Sequence, residues 1–189
     1  MVKQKIGAKP YLFPMPCTLI GAQVEGKPNF MMAAFVGIMN IAPPMISCGL
    51  SPKHYTCKGI EANKTFSVNI PSEAMVAKAD YCGLTSGQSE NKSNLFKVFY
   101  GELKTAPLIE ECPISLECSL VQMIPLGNDT VYLGEIKEIY CDKDAIADGK
   151  PDVKKIKPFV FTFPDNGLYS IGPQIGTGWK TGKNYKPKA

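Results

Sequence analysis

Residues 51–56 read Ser51-Pro52-Lys53-His54-Tyr55-Thr56, a run that gathers hydroxyls and cations within one short segment. It follows the β-like run Met45 to Leu50, so it stands at a strand end. A strand end that delivers backbone amides, hydroxyls and positive charge to one point suits a phosphate or another anion. A plain helix cap would need only one such donor. Upstream, Asn29 to Phe35 reads NFMMAAF, small and apolar, a stretch of backbone that a flat ring can approach closely. An anion cradle beside an apolar wall predicts a nucleotide-like cofactor. The competing reading makes Met31, Met32, Phe35 and Met39 core residues and nothing more.

Few other side chains offer chemistry. His54 is the single histidine, which excludes a His-rich zinc or iron centre. It serves either as an anion contact or as a surface residue at a helix start. The sequence holds no CxxC, Walker A or GxGxxG motif, and no GxSxG precedes a helix. The seven cysteines, Cys17, Cys48, Cys57, Cys82, Cys112, Cys118 and Cys141, read first as buried inert thiols. With so few catalytic groups, difficult chemistry has to come from a bound cofactor.

Composition bounds the alternatives. The 189 residues can bury one good core, and 44% hydrophobic with 20% charged residues is ordinary globular usage. The net charge of +4 comes from dispersed lysines, clustered only at Lys154-Lys155-Lys157 and at Lys180, Lys183, Lys186 and Lys188. There is no arginine, the usual guanine reader, so nucleic acid is not expected as a partner. An odd cysteine count and the absence of a secretory-type leader predict free thiols and a cytoplasmic location. No apolar run reaches the roughly 18 residues that would span a bilayer, and no membrane partner is expected.

The elements that must position the cradle are mostly strands. Cys17 to Val24, Met45 to Leu50 (expected buried on both faces), Thr65 to Ile70, Phe159 to Phe163 and Leu168 to Ile171 read as strands. Ile114 to Leu126 and Thr130 to Cys141 read as two long strands joined by a hairpin at Gly127-Asn128-Asp129. Glu25 to Pro28 reads as a turn. Tyr55 to Asn63 reads as a short helix, and a second runs from N-cap Ser72 to about Cys82. Leu84 to Asn94 reads as a polar loop, followed by a short helix at Leu95 to Tyr100. Dense glycine and proline between short strands predicts a closed or nearly closed antiparallel barrel, as one domain over residues 1–189 with a Lys/Gly-rich tail from Gly172.

Three segments together resemble a known family. Pro16 through Thr56, TFSVNIPS at 65–72 and DYCGLTSGQSENKSN at 80–94 are similar to the flavin reductase-like FMN-binding split-barrel proteins, and within them to the flavoredoxins. The resemblance implies a six-stranded antiparallel Greek-key split barrel with short helical insertions. It also implies an FMN-binding homodimer. On that resemblance Asn29, Met31, Met32, Ala33, Ala34 and Phe35 lie along the flavin ring. Cys48, Gly49 and Leu50 lie beside the ribityl chain. Ser51, His54, Tyr55 and Thr56 cradle the phosphate. Cys82, Ser86, Gly87 and Lys92 belong to the second segment that closes over the flavin. Tyr169, Gly172 and Trp179 approach from the C-terminal part. Two departures stand out: Ala33-Ala34 replaces hydroxyl residues frequent in relatives, and Lys53 and His54 stand where relatives often place arginine.

The implied activity is electron transfer from NAD(P)H, or from a redox partner protein, through FMN to an acceptor. Two other readings remain open here: a non-catalytic module that stores or senses FMN or another phosphorylated ligand, and a thiol-based reductase using Cys48 or Cys82.

Overall fold

The computed structural model describes residues 1–187; Lys188 of the terminal lysine cluster lies outside them. The principal sheet contains β1 (Thr18–Val24), β2 (Lys27–Ala33), β3 (Val36–Ile41), β4 (Pro44–Leu50), β5 (Thr65–Ile70), β6 (Ile114–Leu126) and β7 (Asp129–Cys141). Its order is β2-β1-β5-β6-β7-β4-β3, antiparallel throughout. Five of these strands were expected; β2 was not, and it begins at Lys27, inside the expected Glu25 to Pro28 turn, which is confined to Glu25-Gly26. The seventh, β3, is an edge arm whose last four residues are exposed. The sequence reading left it unassigned, although Val36, Ile38 and Ile41 leading into the turn at Pro43 carry a hairpin signal.

Alternation explains how β1 and β2 serve two layers. Ile20, Ala22, Met31 and Ala33 point into the barrel core. Leu19 and Phe30 point the other way, into a second apolar cluster with Ala79 and Cys82 of α2 (Val76–Leu84) and with Phe159. Phe30 and Phe96 meet edge to face, with ring centroids 5.4 Å apart. β4 alternates as well: Ile46, Cys48 and Leu50 are buried, whereas Met45, Ser47 and Gly49 are half-buried. Burial on both faces was the expectation. The neighbouring strand β3 lies beside β4 in the same sheet and covers neither of its faces.

Helix α1 (Tyr55–Asn63) occupies the predicted span. Its buried residues Thr56, Cys57, Gly59 and Ile60 follow helical spacing and face β1. A Cβ at Gly59 would lie 2.5 Å from the Gln23 carbonyl oxygen, so only glycine allows this approach. Asn63 Nδ2 fastens the same contact by donating to Gln23 O at 2.6 Å. The chain then leaves the helix through Lys64 in the left-handed region.

Other departures are local. A 3-10 turn, Glu73–Met75, precedes α2, and the Ser72 side chain makes no capping hydrogen bond. Residues 98–99 pair with Leu108–Ile109 as a short ladder where a helix was expected. Two smaller strands, β8 (Phe159–Phe161) and β9 (Leu168–Ser170), pair with each other, and β8 also pairs with Met15–Pro16. This places the loop between β8 and β9 beside the outer face of β2.

Candidate functional site

Two adjoining cavities lie along the free edge of β2, between the start of α1, the end of α2 and the loop after it. Met31, Met32, His54, Gly83 and Leu84 line both. The first has a volume of about 220 Å³ and adds Asn29, Lys53, Tyr55, Thr56, Cys82, Thr85, Ser86, Gly87 and Lys92. The second is larger, about 500 Å³. It is walled by Ala33, Ala34, Phe35, Gly49, Leu50, Phe161, Phe163 and Leu168, with Asp80 and Asn166 as its added polar side chains.

The polar end is built by three elements. His54 caps α1 in an extended conformation but gives no side-chain hydrogen bond to the helix, so its ring is free for the cavity. Burial lowers its pKa and the nearby Lys92 adds to this, while Asp129 opposes. Asn29 and Thr56 are both buried, and Asn29 Nδ2 donates to Thr56 Oγ1 at 2.7 Å. The Thr56 hydroxyl keeps its own hydrogen for another acceptor. Gly87 packs against this pair so closely that a Cβ would meet Asn29 Oδ1 at 2.0 Å and Tyr55 Cδ1 at 2.7 Å.

Lys92 is the buried cation of the site. Its Nζ donates to Thr85 O at 2.9 Å and to Cys82 O at 3.3 Å. An ammonium carries three donors, so one remains for the cavity. Burial lowers its pKa, with Cys82 opposing. These two carbonyl contacts also hold the end of α2 to the following loop. Ser86 completes the rim. Its hydroxyl accepts from the Gln88 amide at 3.2 Å.

The structure therefore brings together Asn29, Met31, Met32, Ala33, Ala34, Phe35, Gly49, Leu50, His54, Tyr55, Thr56, Cys82, Ser86, Gly87 and Lys92. It does not bring three expected residues with them. Cys48 is fully buried in the barrel core, one alternation further from the strand end than Leu50, and lines neither cavity. Burial pushes its thiol up to about 12. Ser51 lines neither cavity; its carbonyl accepts from the His54 amide at 3.0 Å and from Cys57 Sγ at 3.4 Å. Trp179 is 97% exposed on the tail, outside both cavities. Tyr169 binds Asp165 through its hydroxyl at 3.0 Å, and Gly172 borders a separate groove.

Lining residues to which the sequence assigns no site role are Asp80, Gly83, Leu84 and Thr85 at the end of α2, and Phe161, Phe163, Asn166 and Leu168 around the β8–β9 loop. The spacing of Asp80, Gly83 and Leu84 places them on one helix face, a signal the sequence does carry. The contribution of the β8–β9 loop is purely tertiary.

Among the described residues no cluster of His, Cys, Asp or Glu could hold a metal. The donor set instead fits an amphiphilic ligand with an anionic end and a planar apolar head: Lys53, His54 and Lys92 gather at one end, Met, Leu and Phe side chains at the other.

The profile of the flavin reductase like domain matches residues 11–161. The chain belongs to the flavin reductase-like family. It superimposes on a flavoredoxin from Methanosarcina acetivorans with a TM-score of 0.94 and 46% identity, covering 97% of this chain and 98% of that one. A flavoredoxin of Desulfovibrio vulgaris (Miyazaki F) gives a TM-score of 0.90 and 33% identity, covering 96% of this chain and all of that one (100%). An uncharacterised protein of Archaeoglobus fulgidus is 33% identical over 145 residues, 76% of this chain and 81% of its own length. The fold is thus a flavin reductase-like split barrel of the flavoredoxin type, which supports a flavin cofactor and flavin-linked electron transfer. No helix among the described residues is long and apolar enough to cross a membrane.

Proposed function

We propose that this protein binds FMN and passes electrons from NAD(P)H or a protein donor to an acceptor. The observation that carries the reading is the pair of adjoining cavities, cationic at one end and apolar at the other. When bound, FMN supplies the redox chemistry. The chain's own residues bind and orient it. Lys92, His54 and the Thr56 and Ser86 hydroxyls hold the phosphate by charge-assisted hydrogen bonds. Met31 and Met32 exclude water from the junction of the cavities. Ala33 and Ala34 offer a flat surface without hydroxyls, so the ring's polar edge relies on backbone groups.

Two further properties belong to the same proposal. Phe35, Ile38, Met39 and Ile41 are exposed along β3 and just before it, next to the ring-side cavity, and a second copy of the chain would cover them. A homodimer is therefore expected, which light scattering of the purified protein checks. The free thiols suit a reducing cytoplasm.

The direct test is the visible spectrum during FMN titration, followed by anaerobic addition of NADH or NADPH. Bound-flavin bands that bleach with either nucleotide are expected. A protein that stays colourless after FMN addition rejects the reading. A yellow protein bleached by neither nucleotide nor a protein donor favours a storage or sensing module.

A further inference from the structure

The two ends of the site carry opposite charge. Lys53, His54 and Lys92 line the smaller cavity, whereas the charged group peculiar to the larger one is Asp80. Asp80 sits on α2, half-buried, one turn before Gly83 and Leu84. Its surroundings in the cavity are Met31, Met32, Leu84, Phe161, Phe163 and Leu168. Among the described residues its carboxylate forms no ion pair and no hydrogen bond. Even Lys78, two residues earlier on the helix, pairs with Glu111 instead, at 3.9 Å. A carboxylate left without a protein partner beside apolar walls exerts a field that is screened less than at an open surface.

We propose that Asp80 sets the charge preference of the molecule that exchanges electrons in the ring-side cavity. It favours planar heteroaromatic compounds that carry a positive charge or an N–H donor, and it disfavours planar anions. The inference rests on the flavin reading above and names the substrate class of the same site. Asn166, on the opposite β8–β9 loop, adds an amide that both donates and accepts. The combination suits a ring bearing a carboxamide or a quaternary nitrogen. A like-charged entrant meets the carboxylate with no protein cation in that cavity except the His54 edge, whose pKa burial lowers.

The test uses the FMN-loaded full chain, reduced with dithionite and mixed with one of two planar acceptors. One is the N-methylphenazinium cation, which takes two electrons and one proton. The other is 1,2-naphthoquinone-4-sulfonate, an anion that takes two electrons and two protons. The readout is the ratio of the two second-order rate constants in wild type, Asp80→Asn and Asp80→Glu. A change in cofactor potential moves both rates the same way and largely cancels in the ratio.

The ratio of cation to anion should fall on the order of tenfold in Asp80→Asn at low ionic strength, and Asp80→Glu should retain it. Raising salt should shrink the difference between wild type and Asp80→Asn. Each protein is saturated with FMN, checked by fluorescence titration, before mixing. An unchanged ratio in a flavin-loaded Asp80→Asn overturns the proposal. So does loss of FMN from that variant alone, because Asp80 would then serve the cofactor. If Asp80→Asn does not fold, the wild type decides: a cation rate that falls and an anion rate that rises with salt support the proposal, and equal salt dependence or the reverse pair of signs, as the net charge of +4 alone would give, overturns it. A wild type that takes up no FMN overturns the parent reading and this one with it.

Discussion

Asn29 and Thr56 are 27 residues apart in sequence, and their side chains meet at 2.7 Å in the wall of the polar cavity. The bond joins the edge strand β2 to the first turn of α1. Both residues are almost wholly buried, so water reaches them only from the cavity. Removing one leaves the other with an unmet polar group, which costs about 1–3 kcal/mol. Asn29→Ala is therefore expected to lower stability by that amount in urea unfolding. Thr56→Val should do the same and also weaken FMN binding, because it deletes the donor hydrogen that faces the cavity. A Thr56→Val protein with wild-type stability and wild-type FMN affinity would contradict this account.

Gly87 carries the loop over that pair. A methyl group there would lie 2.0 Å from Asn29 Oδ1, which is anchored by its bond to Thr56 and cannot swing away. The loop has to lift instead, taking Ser86 and the Lys92 contacts with it. Gly87→Ala should lower FMN affinity by roughly tenfold, equivalent to about 1.4 kcal/mol, while changing the global unfolding midpoint little, since the loop is outside both apolar clusters. Equilibrium titration and urea unfolding on the same sample separate the two effects.

The strands were legible because most alternate, and the turns because glycine, proline and asparagine mark them. Helix α1 was legible because Tyr55 to Asn63 lies between a polar strand end and a clear strand. The arm β3 was not, since its exposed apolar residues have no polar alternation to read. Residues 98–99 form a strand only because Leu108–Ile109 lies across from them, a pairing that no local pattern announces. The site divides the same way. Residues contiguous along β2, α1 and the 82–92 segment were visible as a polar and apolar sequence pattern. The β8–β9 loop reaches the cavity through tertiary packing alone. Cys48 shows that strand register alone does not define the site: Leu50 shares its face and its core cluster but lines the cavity because it stands at the strand end, whereas Cys48 lies two residues further in.

Lys92 should give FMN binding a characteristic pH dependence. Burial lowers its pKa from the ordinary value of 10.5, so the ammonium is lost at a lower pH than for a surface lysine. The charged form holds the phosphate, and affinity should fall as pH rises through that lowered pKa. Lys92→Met should bind FMN weakly at neutral pH and show a flatter profile on the alkaline side. Fluorescence titration from pH 7 to 10 checks this. An unchanged alkaline slope in the variant would remove Lys92 from the phosphate contacts.

The buried thiols predict how the fold itself responds to alkali. Burial raises Cys17 and Cys48 to about 12, and Cys57 and Cys82 to about 11, from an ordinary 9.0. Above pH 9 the unfolded chain releases these protons while the folded chain keeps them. The unfolded state then binds fewer protons, so unfolding free energy falls with rising pH. The stability is fully present below pH 9 and is lost between pH 9 and the folded-state values near 11 and 12. Each thiol contributes a slope of about 1.4 kcal/mol per pH unit within that window. Lys92 acts in the opposite sense, since its lowered pKa makes the unfolded chain the stronger proton binder between the lowered value and 10.5. Several thiols outweigh one lysine, so the urea midpoint under reducing conditions should drop steeply between pH 9 and 10.5. Replacing Cys57 by alanine should reduce that slope by about one proton's worth. A midpoint that stays level to pH 10.5 would mean that these thiols ionise in the folded protein as they do in water.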